Sequence, residues 1–207
     1  DGSDRRIYQA FSPKIGLLWR ANDRVQVFGN VSRSYEPPLI LELTSFGFEP
    51  GFLPLKAQDS WQAEIGTRGS VFGDRLRYEL SVYNAEIKNE VLNQNLQPFP
   101  GAPFTIPSFR GVERSRHTGV EVSVDATAAR SLFTEYDELS LRTAFTYADF
   151  RFVRDSSFSG NRIPGQPRHL LRSEVRYDYP QGFWIAPAID WSPASYFVNS
   201  ANTFTNG

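Results

Sequence analysis

Apolar and polar residues alternate with a period of two along most of the chain, as in β-strands whose two faces meet different surroundings. From Leu76 to Tyr83, for example, every second residue is leucine, tyrosine or valine, and most residues between them are charged or polar. No segment has the longer period that is typical of an amphipathic helix. The pattern predicts eight strands, at 13–20, 25–32, 61–72, 76–83, 120–126, 139–147, 171–177 and 183–191. Pro187 weakens the last of them, because proline cannot donate to a central ladder.

The connections between these strands also alternate, between short and long. Short ones are predicted at 21–24, 73–75, 127–137 and 178–182, and long ones at 33–59, 89–110 and 151–168. In an up-and-down antiparallel meander this order puts all the long loops at one end. Their sequences are rich in Pro, Gly, Phe and Asn, which is not the composition of a disordered segment. We therefore expect ordered binding loops at this end.

The polar face carries too many charges for a dry core, since charged side chains are almost never fully buried unless paired. These charges are Glu64, Arg68, Glu79, Glu121, Asp125, Arg142, Arg172, Glu174 and Asp190. A water-filled lumen accommodates them, and the opposite face, with Leu80, Val122, Leu141 and Val175, would then meet lipid. The pattern favours a transmembrane β-barrel, with a soluble β-sandwich binding module as the alternative.

The charge and composition exclude several functions. The 22 Lys and Arg residues balance 23 Asp and Glu residues, so no basic field exists to hold nucleic acid. No apolar run approaches the length of a membrane-spanning helix. Cysteine is absent, which removes disulfides and thiolate chemistry. The chain opens without an initiator methionine or a signal segment, so we interpret it as part of a longer protein.

No catalytic or metal-binding constellation stands out. His117 and His169 are the only imidazoles, and both are interpreted as structural. The carboxylate pairs Glu36 with Glu42 and Glu86 with Glu90 are interpreted as solvated surface. The glycines lack the spacing of a phosphate loop. We expect neither enzymatic activity nor a cofactor.

Several motifs in order along the chain resemble the barrel of the TonB-dependent outer-membrane receptors. SPKIGLLWRANDRVQVFGNVSRSYEPP at 12–38 is similar to a strand–turn–strand of that barrel, and the EIGTRG and GVEVSVDA strands also match. The loop GNRIPGQPRH at 160–169 is the most specific match. The resemblance implies an all-β antiparallel meander, part of a 22-stranded transmembrane β-barrel whose lumen is filled by a plug. Residues 1–207 would supply about eight strands of its C-terminal half, without the plug.

The resemblance also implies a function and a location. We expect a segment of a receptor in the outer membrane of a Gram-negative bacterium, which imports a ferric siderophore or similar scarce chelate with energy from TonB. Cobalamin or an oligosaccharide is an alternative ligand. The alternative of another class is a complete small barrel of eight strands, such as an adhesin or a lipid-modifying enzyme. The lipid bilayer, the plug and TonB are the other expected partners.

Aromatic and arginine residues of the long loops are the candidate ligand contacts. Rings supply contact area at low entropic cost, and arginine binds carboxylate or catecholate oxygens with two parallel hydrogen bonds. The candidates are Tyr35, Phe46, Phe48, Phe52, Phe99, Phe104, Phe109, Arg110, Arg114, Arg116 and Arg162.

Overall fold

The computed structural model of the chain contains one long antiparallel sheet and almost no helix. The structure describes residues 7–45, 51–96 and 101–207. In chain order the elements are β1 (Lys14–Arg20), β2 (Val25–Glu36), α1 (Ile40–Leu43), β3 (Thr44–Ser45), β4 (Gly51–Phe52), β5 (Gln58–Val71), β6 (Leu76–Leu96), β7 (Ile106–Arg130), β8 (Glu138–Arg154), β9 (His169–Asp178), β10 (Trp184–Ile185) and β11 (Ala188–Trp191). Across these described ranges, no helix is long and apolar enough to cross a membrane.

The strands follow one another in the sheet in chain order, which confirms the predicted meander. The order is β1-β2-β5-β6-β7-β8-β9, and β10 and β11 both pair with the far side of β9. The separate β3–β4 pair lies in the connection between β2 and β5. Within the described residues β1 does not pair with β11, so the sheet is open. This excludes a closed eight-stranded barrel for the part of the chain that the structure describes.

The register places the predicted apolar residues in common rows. Leu80 lies opposite Val122, and Val122 lies opposite Phe145 on the next strand. Side chains of this face remain open to the surroundings; Ile65, for example, is 62% exposed. A soluble sandwich would cover such a face with a second sheet. The described residues contain no such layer, so the sandwich alternative does not fit.

The central hairpin is much longer than predicted. The segment 89–110 was expected to be a loop, yet β6 runs to Leu96 and β7 begins at Ile106, paired in register throughout. Strands of 21 and 25 residues far exceed the roughly 9 to 11 that cross a bilayer. The hairpin is therefore longer than a membrane-spanning hairpin needs to be, and the excess lies at the end with the long loops.

The predicted eighth strand is interrupted. Pro187 separates β10 from β11, and its carbonyl oxygen accepts a hydrogen bond from the amide of Val175, 3.1 Å away. The ladder cannot run through the proline because it has no N–H group to donate. β8 also continues seven residues beyond its predicted end, to Arg154, and β2 extends to Glu36. A single helical turn stands in the long β2–β5 connection.

Candidate functional site

The inner face of the sheet, which carries the predicted lumenal charges, is held together by pairs between neighbouring strands. Arg142 Nε lies 2.7 Å from Asp125 Oδ1, and Asn30 donates to Glu64 over 2.9 Å. These groups remain solvated; the Arg142 side chain is 74% exposed. The inner face thus has the wet, charge-paired character expected of a lumen wall.

A pocket of about 330 Å³ lies in this inner face towards the long loops. It is lined by Ser60, Gln62, Glu64, Tyr83, Ala85, Ile87, His117, Glu121 and Phe150. The ring of Tyr83 lies over Gly119, where a Cβ atom would approach it to 2.4 Å. Gly119 therefore marks a close approach of the Tyr83 ring to the backbone of β7.

One wall of the pocket is a compact polar cluster that the sequence did not reveal. The Ser115 hydroxyl donates to Glu90, and Nε2 of His117 lies 3.2 Å from the other oxygen of Glu90, out of line for a hydrogen bond. The His117 ring stacks on Phe150 at 4.0 Å. Glu90 is only 8% exposed, so its assignment to solvated surface was wrong.

This cluster is not arranged for nucleophilic catalysis. In a hydrolytic triad the imidazole contacts the serine hydroxyl and takes its proton, whereas here Glu90 stands between Ser115 and His117. Among the described residues, no three His, Cys, Asp or Glu side chains are grouped to hold a metal ion. The geometry is suited to binding and packing.

At the loop end of the inner face, Arg110 of β7 holds the β8–β9 loop in place. Its guanidinium lies 2.6 Å from Asp155 and stacks over the rings of Phe152 and Phe158, at 5.1 and 5.2 Å from their centroids. Phe152 is completely buried with Val112. Burial acts to raise the pKa of Asp155, but hydrogen bonds from backbone amides and from Arg110 outweigh it, so this pKa lies below the ordinary value. The β8–β9 loop is thereby fixed to the top of the hairpin.

The candidate ligand contacts divide between the two faces of the sheet. Of the eight candidates among the described residues, six stand on strands rather than in loops: Tyr35 on β2, Phe52 on β4, and Phe109, Arg110, Arg114 and Arg116 on β7. Alternation from Val120 places Arg116 on the outer, apolar face, and Arg114 is held there by Glu86, 2.8 Å away.

The other candidates follow the same division. Tyr35 lies opposite Asp59 in the outer rows, and Arg162 lies opposite Arg151, also outside. Phe109 alternates with the inward Arg110 and so faces outwards. Phe104 is half exposed near the tip of the hairpin, and Phe52 lies on β4. Phe46, Phe48 and Phe99 fall outside the described residues.

Comparison with known proteins agrees with this architecture. The family model described as "TonB dependent receptor-like, beta-barrel" matches residues 1–207. The chain belongs to the TonB-dependent receptor β-barrel family. Members of this family are outer-membrane transport receptors. The metal-pseudopaline receptor CntO of Pseudomonas aeruginosa strain UCBPP-PA14 is 23% identical over 197 residues, which are 95% of this chain and 25% of that protein.

Solved structures of similar receptors share the fold. The ferric enterobactin receptor PfeA of Pseudomonas aeruginosa, a mutant in complex with enterobactin, has a TM-score of 0.65 at 18% identity and covers 89% of this chain and 28% of its own. The copper transporter OprC has a TM-score of 0.63 at 15% identity, and the match covers 81% of this chain and 24% of OprC. The chain spans about a quarter of the length of the curated relatives it matches. It is therefore a fragment of a receptor barrel.

Proposed function

We propose that the chain forms part of the barrel wall of an outer-membrane receptor that imports a ferric siderophore or a similar scarce metal chelate. In the full-length receptor of a Gram-negative bacterium, a plug would fill the lumen and TonB would supply the energy. The observation that carries this proposal is the two-faced sheet, with an uncovered apolar face and a charge-paired inner face, in a chain that matches the receptor-barrel family throughout.

The inner face offers suitable contacts for the plug and for a passing ligand. Its cations and carboxylates are paired along the wall, which limits the attraction of any single ion. The polar pocket beside His117 adds free surface below the loop end. A ligand released from the loops would pass over this wall.

Arg110 is the strongest ligand-contact candidate of the arginines named from the sequence, because it alone among them faces inwards. Its Nη2 atom is buried and has no hydrogen-bond partner among the described residues. An anionic chelate that displaces the groups covering Arg110 would accept a hydrogen bond from Nη2, which has no acceptor among the described residues. The ring of Phe104 near the hairpin tip would add contact area.

Growth of a strain that lacks the full-length receptor gene tests the substrate class. The strain should lose growth on one iron chelate within a panel of single chelates, cobalamin and glycans, and the wild-type gene should restore it. Restored growth on cobalamin or a glycan alone would overturn the chelate assignment.

Two variants then separate ligand contact from loop structure. Arg110→Gln should weaken uptake of an anionic chelate at unchanged receptor abundance, because it removes the inward cation. Asp155→Asn breaks the same ion pair but keeps the cation. An equal loss of uptake in both variants would show that Arg110 acts only by fixing the loop.

A further inference from the structure

Three arginines stand side by side on the outer face of the sheet at its loop end. Arg116 of β7 lies directly opposite Arg151 of β8, and Arg151 lies opposite Arg162 of the β8–β9 loop. Like charges in directly opposed cross-strand positions destabilise a sheet. A row of this kind therefore requires anionic groups that neutralise it.

The nearby acidic groups do not balance these charges. Asp149 serves two of the arginines: its carboxylate lies 2.8 Å from Arg151 Nε and 3.7 Å from Arg162 Nε. Arg168 lies close enough to Asp149 and Arg162 to interact with the charges of both, and adds a fourth guanidinium. Within the described part of the chain, Arg116 has neither an ion-pair nor a hydrogen-bond partner, since Glu86 opposite it is bound to Arg114. Four cations therefore face one carboxylate.

One buried donor within this group lacks a partner, beside one buried acceptor in the same state, Oδ1 of Asp149. Nε of Arg168 is buried and has no hydrogen-bond acceptor among the described residues. Burial, together with the repulsion of Arg168 and Arg151, lowers the pKa of Arg162 despite the attraction of Asp149. A buried donor without an acceptor costs free energy, which an anionic oxygen would recover.

The position of the group decides which anion fits. Arg168 donates from Nη2 to the hydroxyl of Tyr147 over 3.1 Å and stacks over its ring at 5.5 Å. Tyr147 lies opposite Val120 in the last apolar row of the outer face. Arg116 is four residues beyond Val120, roughly 13 Å along the strand, and strand tilt brings it closer to the membrane plane. Lipid headgroups begin where the apolar band ends.

We propose that Arg116, Arg151, Arg162 and Arg168 form a binding site for the phosphate of a membrane-lipid headgroup, whose acyl chains lie on the apolar rows below. Guanidinium groups bind phosphate oxygens with two parallel charge-assisted hydrogen bonds, and four of them can surround one headgroup. The site rests on the outer face meeting lipid, as in the proposed receptor, and not on which chelate is imported.

Native mass spectrometry of the delipidated full-length receptor in detergent tests the site directly. Dioctanoyl phosphatidic acid is titrated against the wild type and the Arg116→Gln/Arg162→Gln variant. The variant should bind about 30-fold more weakly, because each basic residue near an anionic headgroup contributes roughly a factor of five. Arg154→Gln removes an arginine from the same end of β8, where it pairs with Glu113, and should leave the affinity within about twofold.

Two further ligands and one conservative variant distinguish the alternatives. Dioctanoylglycerol, which lacks the phosphate, should bind far more weakly, and inorganic phosphate should not compete at equal concentration. Arg162→Lys keeps the charge and should lose less affinity than Arg162→Gln, which preserves the test if the double variant folds poorly. Unchanged affinity of the variants, equal binding of dioctanoylglycerol or competition by inorganic phosphate would overturn the proposal. This assay does not measure chelate uptake. A negative result for lipid binding would therefore not contradict the proposed transport function.

Discussion

A single arginine placed on the apolar face should reveal which face meets lipid. Val122 lies between Leu80 and Phe145. The apolar rows run from Leu76 to Val82, six residue steps or roughly 20 Å along a strand. This approaches the ~25 Å apolar band of membrane barrels, so Val122 lies near its middle. Val122→Arg should therefore cost about 2–4 kcal/mol of folding free energy, which is roughly a 30-fold to 700-fold change in the folding equilibrium.

The neighbouring residue supplies a matched control. Ser123 follows on the same strand but faces inwards, opposite Glu79 and Ala144. Ser123→Arg places the same charge beside a carboxylate in water and should cost less than about 1 kcal/mol. Folding of the full-length receptor into lipid vesicles over a urea series, followed by tryptophan fluorescence, measures both values. Equal costs, or a larger cost for Ser123→Arg, would refute the assignment of the faces.

Two further predictions concern the ends of the sheet. Phe152→Ala empties a fully buried site and should cost about 3–5 kcal/mol, seen as faster limited proteolysis of the 155–168 loop, whereas Val153→Ala, at a position 40% exposed, should have little effect. At the opposite end Asp137 accepts hydrogen bonds from three turn amides and from Tyr177; burial acts to raise its pKa, but these bonds lower it to about 2. Its stabilisation of the 131–137 turn should be present above an ordinary carboxyl pKa of roughly 3.9 and be lost as the pH falls towards 2. Amide exchange at residues 132–134, corrected for intrinsic rates, should show this loss, and Asp137→Asn should abolish the pH dependence.

The strand centres could be predicted from the sequence because, in the proposed receptor, lipid and water lie on opposite sides of them. That contrast enforces the alternation from Leu76 to Tyr83 and from Val120 to Ala126. Beyond the lipid both faces of a strand meet water, so the alternation disappears although the pairing continues. The upper half of the β6–β7 hairpin, with Asn93, Gln94 and Asn95, therefore looked like a loop.

The candidate site was predicted less well because alternation does not continue unbroken to the loop end. Alternation along β7 from Val120 correctly places Arg116 on the outer face, so the position of this arginine could be predicted from the sequence. The register shift at Arg114/Ser115 and the left-handed backbone of Asn89, with φ of 56°, change which residues face inwards beyond them. Asparagine tolerates the left-handed region better than most residues, but an asparagine alone does not mark an irregularity, so the buried Glu90 was hidden.

The division of the arginines between two faces changes how uptake mutants must be interpreted. Arg110 lies inside and is fixed by Asp155, whereas Arg116 and Arg162 lie outside, beyond the last apolar row. A variant that neutralises both groups would alter contacts with the ligand and with the membrane together. Removal of outer arginines alone should change lipid binding, and through it receptor abundance, while uptake per receptor stays constant. Loss of uptake at constant abundance should therefore follow only from changes on the inner face, where a passing ligand would make its contacts.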